Sequence, residues 1–328
     1  MSAPPPLTVG LPVYNGETYL ADALDALLGQ SFSDFELIIS DNASTDGTAE
    51  ICRHYGRLDS RIRYMVQSSN IGAVRNHHFL VQQSRSALFK WAAADDLYAR
   101  ELLERCLDAL KERPDAVLAH SFTAAIDSED RVTQALAYPL ATDSPNVAVR
   151  FHSMLFGPSD DNEYKNVIRA DDQYGVVRAD VLRRVLPQGS YYHSDRALMA
   201  ALVLHGTFYQ VPDWLYFRRD HRDRPQHACP TVRSWCANLD PRRRDRIRHP
   251  TFRLLAEYPL GYVEAIRRAP ISPSERRECY GHVARWALQR ALGGVRRALV
   301  PEGPPALVPF APRAAISIAD VVSRGTGS

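Results

Sequence analysis

The sequence has no long hydrophobic run, since no stretch of its 328 residues approaches the roughly 18 apolar residues that cross a bilayer. Its first ten residues, MSAPPPLTVG, lack the basic start and the apolar core of a signal peptide. The cysteines are few, scattered and odd in number, which argues against a disulfide framework: Cys52, Cys106, Cys229, Cys236 and Cys279. These absences predict a cytoplasmic protein in a reducing compartment.

Lysine is scarce, occurring only at positions 90, 111 and 165, so arginine carries most of the positive charge. The net charge of +2 is unevenly distributed, because residues 211–300 contain 19 Arg against 9 acidic residues. The densest basic cluster is PRRRDRIRHP, residues 241–250. We interpret this cluster as a solvated basic face or as a peripheral contact with a membrane surface, in preference to a nucleic-acid site.

The first 130 residues alternate between two patterns. Short apolar, β-branched runs predict strands at residues 7–13, 35–40, 61–66, 87–93 and 116–122. Between them, helical periodicity predicts helices at residues 17–29, 46–58, 72–83 and 99–113. Strand–helix repetition with short connections predicts an α/β fold with a Rossmann-like, mostly parallel central sheet and helices on both faces.

This alternation weakens after residue 130. A loop-rich stretch is expected at residues 139–172, followed by helices near 179–186 and 195–205 and a strand at 206–219. Residues 250–297 have the pattern of amphipathic helices, and the Pro- and Ala-rich tail after them is expected to be poorly ordered. We therefore divide the chain into a main domain, a helical C-terminal extension and a tail: residues 1–222, 223–300 and 301–328.

Polar side chains follow three of the predicted strands, in the segments PVYNG (12–16), SDNASTDGT (40–48) and ADDL (94–97). Because the carboxyl ends of parallel strands share one edge of a sheet, these segments are expected to line a ligand site. Asp95 and Asp96 repel each other unless a cation lies between them; alternatively they only end the strand and cap the next helix. No glycine-rich phosphate loop is present, so a phosphate ligand would need another counter-charge, such as Mg²⁺ or Mn²⁺ on these carboxylates.

Three segments, in this order, resemble the inverting family 2 glycosyltransferases of GT-A fold. They are VGLPVYNGETYLADALDALLGQSFSDFELIISDNASTDGT, NIGAVRNHH and FKWAAADD. The resemblance is strong over residues 6–130 and looser up to residue 222, where YHSDRALMAALVLHGTFYQVPDWLYFRRDH is similar to the family's acceptor side. It implies that residues 1–222 form a nucleotide-sugar-binding and catalytic domain.

The resemblance also implies roles for single residues on the donor side. It places nucleotide-binding positions at Pro12, Tyr14, Asn15, Asp41, Arg75 and Asp95. Of these, Asp41 is expected to contact the base and Asp95 to lie near the ribose. The metal, Mn²⁺ or Mg²⁺, is expected on Asp96, with His221 as a second position that holds the metal or the diphosphate. Ala94 stands before the two carboxylates, which leaves open how Asp95 and Asp96 divide the two roles.

The acceptor hydroxyl needs a base, because it is a poor nucleophile at neutral pH. Asp195, at the start of a predicted helix, is the expected catalytic base, although it could instead only cap that helix. The rival bases are Asp160, Asp161 and Glu163. A base and a leaving diphosphate on opposite faces of the sugar imply a single displacement with inversion.

The resemblance implies a metal-dependent, hexosyltransferase-type enzyme that moves a sugar from a nucleoside-diphosphate sugar, with UDP favoured, to an acceptor hydroxyl. The expected acceptor is one of three kinds of molecule: a glycan in polysaccharide biosynthesis, a lipid-linked sugar, or a small molecule. Two alternatives stay open: a sugar-phosphate nucleotidyltransferase, and a non-catalytic carbohydrate- or nucleotide-binding protein of this fold. The first would need a Gly-rich basic loop after the first strand, and the second is disfavoured by the joint presence of Asp95, Asp96 and Asp195.

Overall fold

The computed structural model describes residues 4–136, 140–157 and 171–299. Its strands are β1 Leu7–Val13, β2 Phe35–Asp41, β3 Ile62–Val66, β4 Leu88–Trp91, β5 Leu97–Tyr98, β6 Ala116–Ile126, β7 Val132–Leu136, β8 Val176–Arg178 and β9 Thr207–Arg219. Its helices are α1 Leu20–Leu28, α2 Thr48–Leu58, α3 Ala73–Gln83, α4 Leu102–Glu112, α5 Val147–Phe156, α6 Ala179–Val185, α7 Ser194–Val203, α8 Pro225–Ala228, α9 Val232–Leu239, α10 Thr251–Arg268 and α11 Pro273–Leu299.

The strands form one sheet in the order β3-β2-β1-β4-β8-β6-β9-β5, with β7 paired to β6. Strands β3, β2, β1 and β4 are parallel, and β8 joins them to the second half through antiparallel pairs with β4 and β6. The chain runs from β1 outward to β2 and β3, then returns to the other side of β1 as β4. The topological switch point therefore lies between β1 and β4, where sheets of this kind bind ligands at their carboxyl ends.

Two apolar cores cover the two faces of the sheet. One core packs β1 and β2, through residues such as Leu7 and Leu11, against α1 and α4. The other packs Phe89 and Trp91 of β4 against α3, α5 and α7. Period-two alternation along the strands sends successive side chains to opposite faces. Gly10 of β1 is required by this packing, since an added Cβ would lie 2.6 Å from Cζ of Phe89.

The helices of the C-terminal extension share the second core. Tyr258 and Tyr262 of α10 and Trp286 of α11 are buried in it, and the ring of Tyr262 packs edge-on against Phe151 of α5 at 6.2 Å. The hydroxyls of Tyr258 and Tyr262 lie 2.7 Å apart and satisfy each other inside this apolar region. Helices α10 and α11 are therefore packed directly on the α/β core. Within the described ranges, no helix has the length and apolar character needed to cross a membrane.

The predicted alternation of strands and helices over the first 130 residues is confirmed, and so is the α/β fold class with its helical C-terminal region. The stretch 139–172, predicted to be loop-rich, also contains a helix that the sequence did not predict, α5. Its start signal is Asn146, whose side-chain oxygen accepts the backbone N–H groups of Ala148 and Val149. The tail 301–328 and the rival bases Asp160, Asp161 and Glu163 lie outside the described residues.

Candidate active site

The segments after β1, β2 and β4 meet at one edge of the sheet, as predicted. Val13 at the end of β1 pairs with Asp41 at the end of β2, and Gly10 pairs with Trp91 at the end of β4. Tyr14, the residue after β1, is 48% exposed. This edge therefore combines an exposed aromatic ring with the two segments that carry the predicted carboxylates.

The turn that carries Asp95 and Asp96 is held by Tyr98. The Tyr98 hydroxyl donates to the Ala93 carbonyl at 3.0 Å and accepts the Ala93 backbone N–H at 2.7 Å. The ring of Tyr98 stacks on Tyr216 of β9, with centroids 5.8 Å apart. Both rings are buried, so Tyr98 anchors the turn to the core.

Asp96 lies wholly inside the protein. One carboxylate oxygen accepts a hydrogen bond from the Tyr216 hydroxyl, and the other accepts the Arg219 backbone N–H at 2.9 Å. The Arg224 guanidinium lies 3.8 Å from the same carboxylate. Burial, together with the charge of Asp95, raises the pKa of Asp96 to about 6. Asp96 therefore ties β9 and the segment after it to the end of β4.

Asp95 is the more exposed of the two, with 28% of its side chain accessible. Its Oδ2 lies 2.9 Å from Nε2 of His221 and 4.0 Å from Nε of Arg224. Burial raises the pKa of Asp95, but the hydrogen bond with His221 and the charge of Arg224 outweigh burial and hold that pKa below its usual value. Asp95 is therefore an ionised carboxylate at neutral pH, beside two basic side chains.

The described residues contain no group of three or more His, Cys, Asp or Glu side chains that could hold a metal ion. Asp95 and His221 nevertheless form a carboxylate–imidazole pair, and Nδ1 of His221 is buried without a hydrogen-bond partner in the described part of the chain. Magnesium in phosphate sites commonly uses one or two protein ligands and completes its shell with water and substrate oxygens. The pair fits such an ion, whereas the two oxygens of Asp96, the predicted metal ligand, already accept hydrogen bonds.

Asp41, predicted to contact the base, ends β2 and is buried. Its Oδ1 accepts the Ser44 backbone N–H at 2.8 Å, and its Oδ2 accepts the Tyr64 hydroxyl at 2.8 Å. The neighbouring Asn42 accepts the Ile71 backbone N–H at 2.9 Å, which joins the loop after β2 to the segment before α3. The structure thus gives Asp41 and Asn42 a loop-shaping role, and contact of Asp41 with a base stays a prediction.

Asn15 connects the loops after β1 and β2. Its backbone N–H donates to the Ser44 hydroxyl at 2.9 Å, and its side-chain oxygen accepts the Thr45 backbone N–H at 2.8 Å. Its φ of 51° lies in the left-handed region, which asparagine adopts more readily than most residues. Of the other predicted nucleotide-binding positions, Pro12 lies in β1 and Arg75 is exposed on α3.

Asp195 lies in the first turn of α7 and is half-buried. It is not the cap of the helix, because the N-cap position is His193, which has a left-handed φ of 60°. Oδ1 of Asp195 accepts the Arg196 backbone N–H at 2.8 Å. Burial raises the pKa of Asp195, although the Arg196 charge opposes this effect. A carboxylate with a raised pKa at a helix start is suited to accept a proton.

The sequence analysis missed two buried carboxylates, Asp171 and Asp172, in a short 3₁₀ turn before β8. Oδ1 of Asp171 lies 3.7 Å from Nη1 of Arg218. Burial and the charge of Asp171 raise the pKa of Asp172 to about 7. The available signal was ADDQYG, a second acidic pair directly before an apolar strand. This acidic pair is hard to recognise from the sequence, because the stretch that contains it, residues 139–172, has the composition of a loop.

Asp171 also connects the two sides of the site electrostatically. Burial raises its pKa, the charges of Arg218 and Arg224 lower it, and the charge of Asp195 raises it. Because Arg224 is also adjacent to Asp95 and Asp96, the predicted donor carboxylates and the predicted base belong to one charged cluster. The structure thus brings together Asp95, Asp96, His221 and Arg224 from distant parts of the sequence, and Asp195 is linked to them only through its effect on the pKa of Asp171.

Part of the chain is similar in sequence to known glycosyltransferases. A family model described as glycosyl transferase family 2 matches residues 8–186, which is more than half of the 328 residues. The putative teichuronic acid biosynthesis glycosyltransferase TuaG of Bacillus subtilis is 32% identical over 119 residues, 36% of this chain and 46% of that protein. Glycosyltransferase GlyG of Streptococcus pneumoniae is 25% identical over 107 residues, 33% of this chain and 36% of that protein. The chain therefore spans less than half the length of these relatives.

Solved structures show the same fold at low identity. Residues 1–349 of S. aureus TarS in complex with UDP superpose with a TM-score of 0.53 and 15% identity, covering 92% of this chain and 94% of that one. The same protein in complex with UDP-GlcNAc gives a TM-score of 0.53 and 14% identity, over 80% of this chain and 81% of that one. The family match and the shared fold confirm the resemblance, and the chain belongs to glycosyl transferase family 2.

Proposed function

We propose that this chain is a metal-dependent, inverting glycosyltransferase that takes its sugar from a nucleoside-diphosphate sugar. The observation that carries the proposal is the Asp95–His221 pair beside Arg224, in the segments that follow the carboxyl ends of β4 and β9. Ligands of parallel α/β sheets bind at this position. An ionised carboxylate provides a cation ligand, and the Arg224 guanidinium beside it provides positive charge for a leaving diphosphate.

On the donor side, Asp95 and His221 would hold the divalent ion, Mn²⁺ or Mg²⁺. The ion, when bound, supplies positive charge to the departing diphosphate. Arg224 adds a fixed positive charge next to both aspartates, and Tyr216 holds Asp96 so that the turn keeps its shape. Tyr14 offers an exposed ring to a nucleotide base, with Arg75 and Asp41 as further nucleotide contacts. In this assignment Asp95 takes the metal-binding role that the sequence had suggested for Asp96.

On the acceptor side, Asp195 would accept the proton of the attacking hydroxyl. Its raised pKa makes it a stronger base than an exposed aspartate, and the Arg196 backbone N–H fixes one of its oxygens. The hydroxyl oxygen forms the new bond to the anomeric carbon while the bond to the diphosphate breaks on the opposite face. The configuration at that carbon is therefore inverted.

UDP is the nucleotide that we propose, supported by the UDP and UDP-GlcNAc complexes of the fold neighbour TarS. Polysaccharide biosynthesis is the proposed setting, supported by the similarity to TuaG, a putative teichuronic acid biosynthesis glycosyltransferase. Peripheral contact of the Arg-rich C-terminal region with a membrane is a separate proposal that does not depend on this activity.

A panel of UDP-, GDP- and dTDP-sugars tests the proposal through release of the nucleoside diphosphate. We expect release from a UDP-sugar in the presence of Mn²⁺. Asp195→Asn should lower turnover by roughly 10²–10⁴-fold with nearly unchanged UDP affinity, because it removes the base and leaves the donor site. The matched control is Asp180→Asn, at an exposed residue that pairs with Arg184 on α6.

Two results would overturn the assignment. Full turnover of Asp195→Asn would place the base elsewhere. Turnover of a nucleoside triphosphate with a sugar phosphate, in place of nucleotide-sugar cleavage, would identify the chain as a nucleotidyltransferase.

A further inference from the structure

Helix α10 carries apolar side chains on two faces. The inner face is buried against the core through Leu254, Tyr258, Tyr262 and Ile266. At 100° per residue, these positions occupy an arc of about 120°. A helix that only covers a core needs one such stripe, with polar residues opposite it.

The outer face of α10 is apolar and exposed. Phe252 is 75% exposed, Leu255 52%, Leu260 59% and Val263 37%. These positions fall within an arc of about 140°, whose centre lies about 110° around the helix from the centre of the inner stripe. Ile247, just before the helix, is 93% exposed. We call these five residues the outer apolar stripe; such a concentrated exposed patch marks an interaction site.

Arginines flank the outer apolar stripe at both ends. Residues 241–268 contain eight Arg and three acidic residues. The acidic residues pair with arginines of the same segment: Asp245 with Arg248, Glu257 with Arg243 and Arg253, and Glu264 with Arg267 and Arg268. Arg244 and Arg246 are exposed next to Ile247. The segment thus has a net positive charge, and it exposes both arginines and large apolar residues.

We propose that residues 242–263 dock this protein on an anionic membrane surface, with Ile247, Phe252 and Leu260 inserted at the boundary between headgroups and acyl chains. A basic, strongly amphipathic helix binds lipid in this way, because apolar burial and attraction to anionic headgroups add together. Charge favours this partner over a second copy of the chain, since a symmetric interface would bring two positive segments together. Nucleic acid would match the arginines and leave the apolar stripe exposed to water.

Co-sedimentation of the full chain with phospholipid vesicles tests the proposal. We expect binding to phosphatidylcholine vesicles that contain phosphatidylglycerol, little binding to pure phosphatidylcholine, and weaker binding as sodium chloride is added. The double variant Arg244→Gln/Arg246→Gln should weaken binding by about 25-fold, since each arginine near an anionic surface contributes about fivefold. Phe252→Ser should weaken it by on the order of tenfold, because it removes inserted apolar area.

The matched control is Leu58→Ser on α2, a 70% exposed leucine outside the C-terminal extension, which should bind like wild type. Circular dichroism checks that each variant is folded. Absence of binding to phosphatidylglycerol vesicles, or equal binding of Phe252→Ser and wild type, would overturn the proposal. So would a wild-type dimer in solution that Phe252→Ser dissociates, since the stripe would then bind a second copy. Nucleotide-sugar cleavage in solution should be the same in all these variants, so the membrane proposal can fail while the proposed function stands.

Discussion

At the scale of single residues, Asp95 and Asp96 are adjacent in the chain but their environments shift their pKa values in opposite directions. Asp96 is buried against Tyr216 and Asp95 and has a raised pKa. Asp95 is partly exposed and has a lowered pKa, because His221 and Arg224 outweigh its burial. Two like charges tolerate each other here through this division and through the shared arginine. Because Asp95 is partly exposed and ionised whereas Asp96 is buried and hydrogen-bonded, we assign the metal to Asp95 and a structural role to Asp96.

Asp172 leads to a prediction about pH. Its pKa is raised to about 7 by burial and by Asp171, so the folded state holds this proton more tightly than the unfolded state does. The stability that this proton contributes is complete below the unfolded pKa and is lost as the pH rises through about 7. We expect Asp172→Asn, which keeps the site neutral, to raise the free energy of unfolding at pH 8 by on the order of 3 kcal/mol relative to wild type.

The measurement is urea denaturation of both proteins at pH 5 and pH 8. The difference in free energy of unfolding between the two proteins should increase from pH 5 to pH 8, because the free-energy cost of ionising Asp172 in the folded protein appears over this pH range. Asp180→Asn, at an exposed surface pair, is the control and should give a difference independent of pH. A difference for Asp172→Asn that is equal at both pH values would mean that Asp172 is not neutralised by folding.

At the scale of secondary-structure elements, the backbone before α3 lies in close contact with the backbone at the end of α9. Gly72, before α3, has a φ of 87°, and an added Cβ would lie 2.5 Å from the carbonyl oxygen of Leu239 in α9. Only glycine adopts this conformation cheaply and leaves room for the carbonyl. The N-terminus of α3 is therefore placed directly against the end of α9.

We expect Gly72→Ala to lower the free energy of unfolding by about 1–3 kcal/mol, the range for a non-glycine residue held in a strained conformation. Gly281→Ala is the matched control, since Gly281 lies inside α11 with nothing within 4 Å of an added Cβ. This control should be more stable than wild type by about 0.5–1 kcal/mol, because alanine favours helix. Thermal or urea unfolding measures both, and an unchanged midpoint for Gly72→Ala would contradict the close approach.

The elements differ in how far the sequence could predict them. The first four strands and helices were predictable, because their apolar periodicity is regular and their polar residues cluster at strand ends. Helix α5 was not, because its capping residue Asn146 lies among Pro, Asp and Ser residues that are typical of loops. The hydrogen-bond partners of Asp96 could not be predicted from the sequence either. Tyr216 and Arg219 are about 120 residues away in the chain and meet Asp96 only through the pairing of β5 with β9.

At the scale of the whole molecule, the C-terminal extension and the α/β domain share one core. Trp286 of α11 packs edge-on against Tyr258 at 5.2 Å and Tyr262 at 5.3 Å, and Tyr262 contacts α5. Helices α10 and α11 of the predicted C-terminal extension therefore contribute buried side chains to the same apolar region as α5 and α7. A shared core favours one cooperative unfolding transition.

Trp286→Ala tests this cooperativity. Removing a buried tryptophan should lower the free energy of unfolding by about 3–5 kcal/mol, and the loss should appear in the unfolding of the entire α/β domain. Differential scanning calorimetry measures it, with Leu58→Ser as a surface control. Two transitions, with only the smaller one shifted by the substitution, would show that the extension unfolds separately.

The central claim is that Asp95, with His221, holds a divalent ion that helps to bind a nucleoside diphosphate. Titration calorimetry of UDP with and without Mn²⁺ tests it on wild type, Asp95→Asn and the control Asp213→Asn, at a partly exposed residue that pairs with Arg105. We expect Mn²⁺ to tighten UDP binding by on the order of tenfold or more in wild type and in the control, and to have no effect in Asp95→Asn. An equal manganese effect in Asp95→Asn, or no binding of UDP by wild type with Mn²⁺ present, would contradict the account.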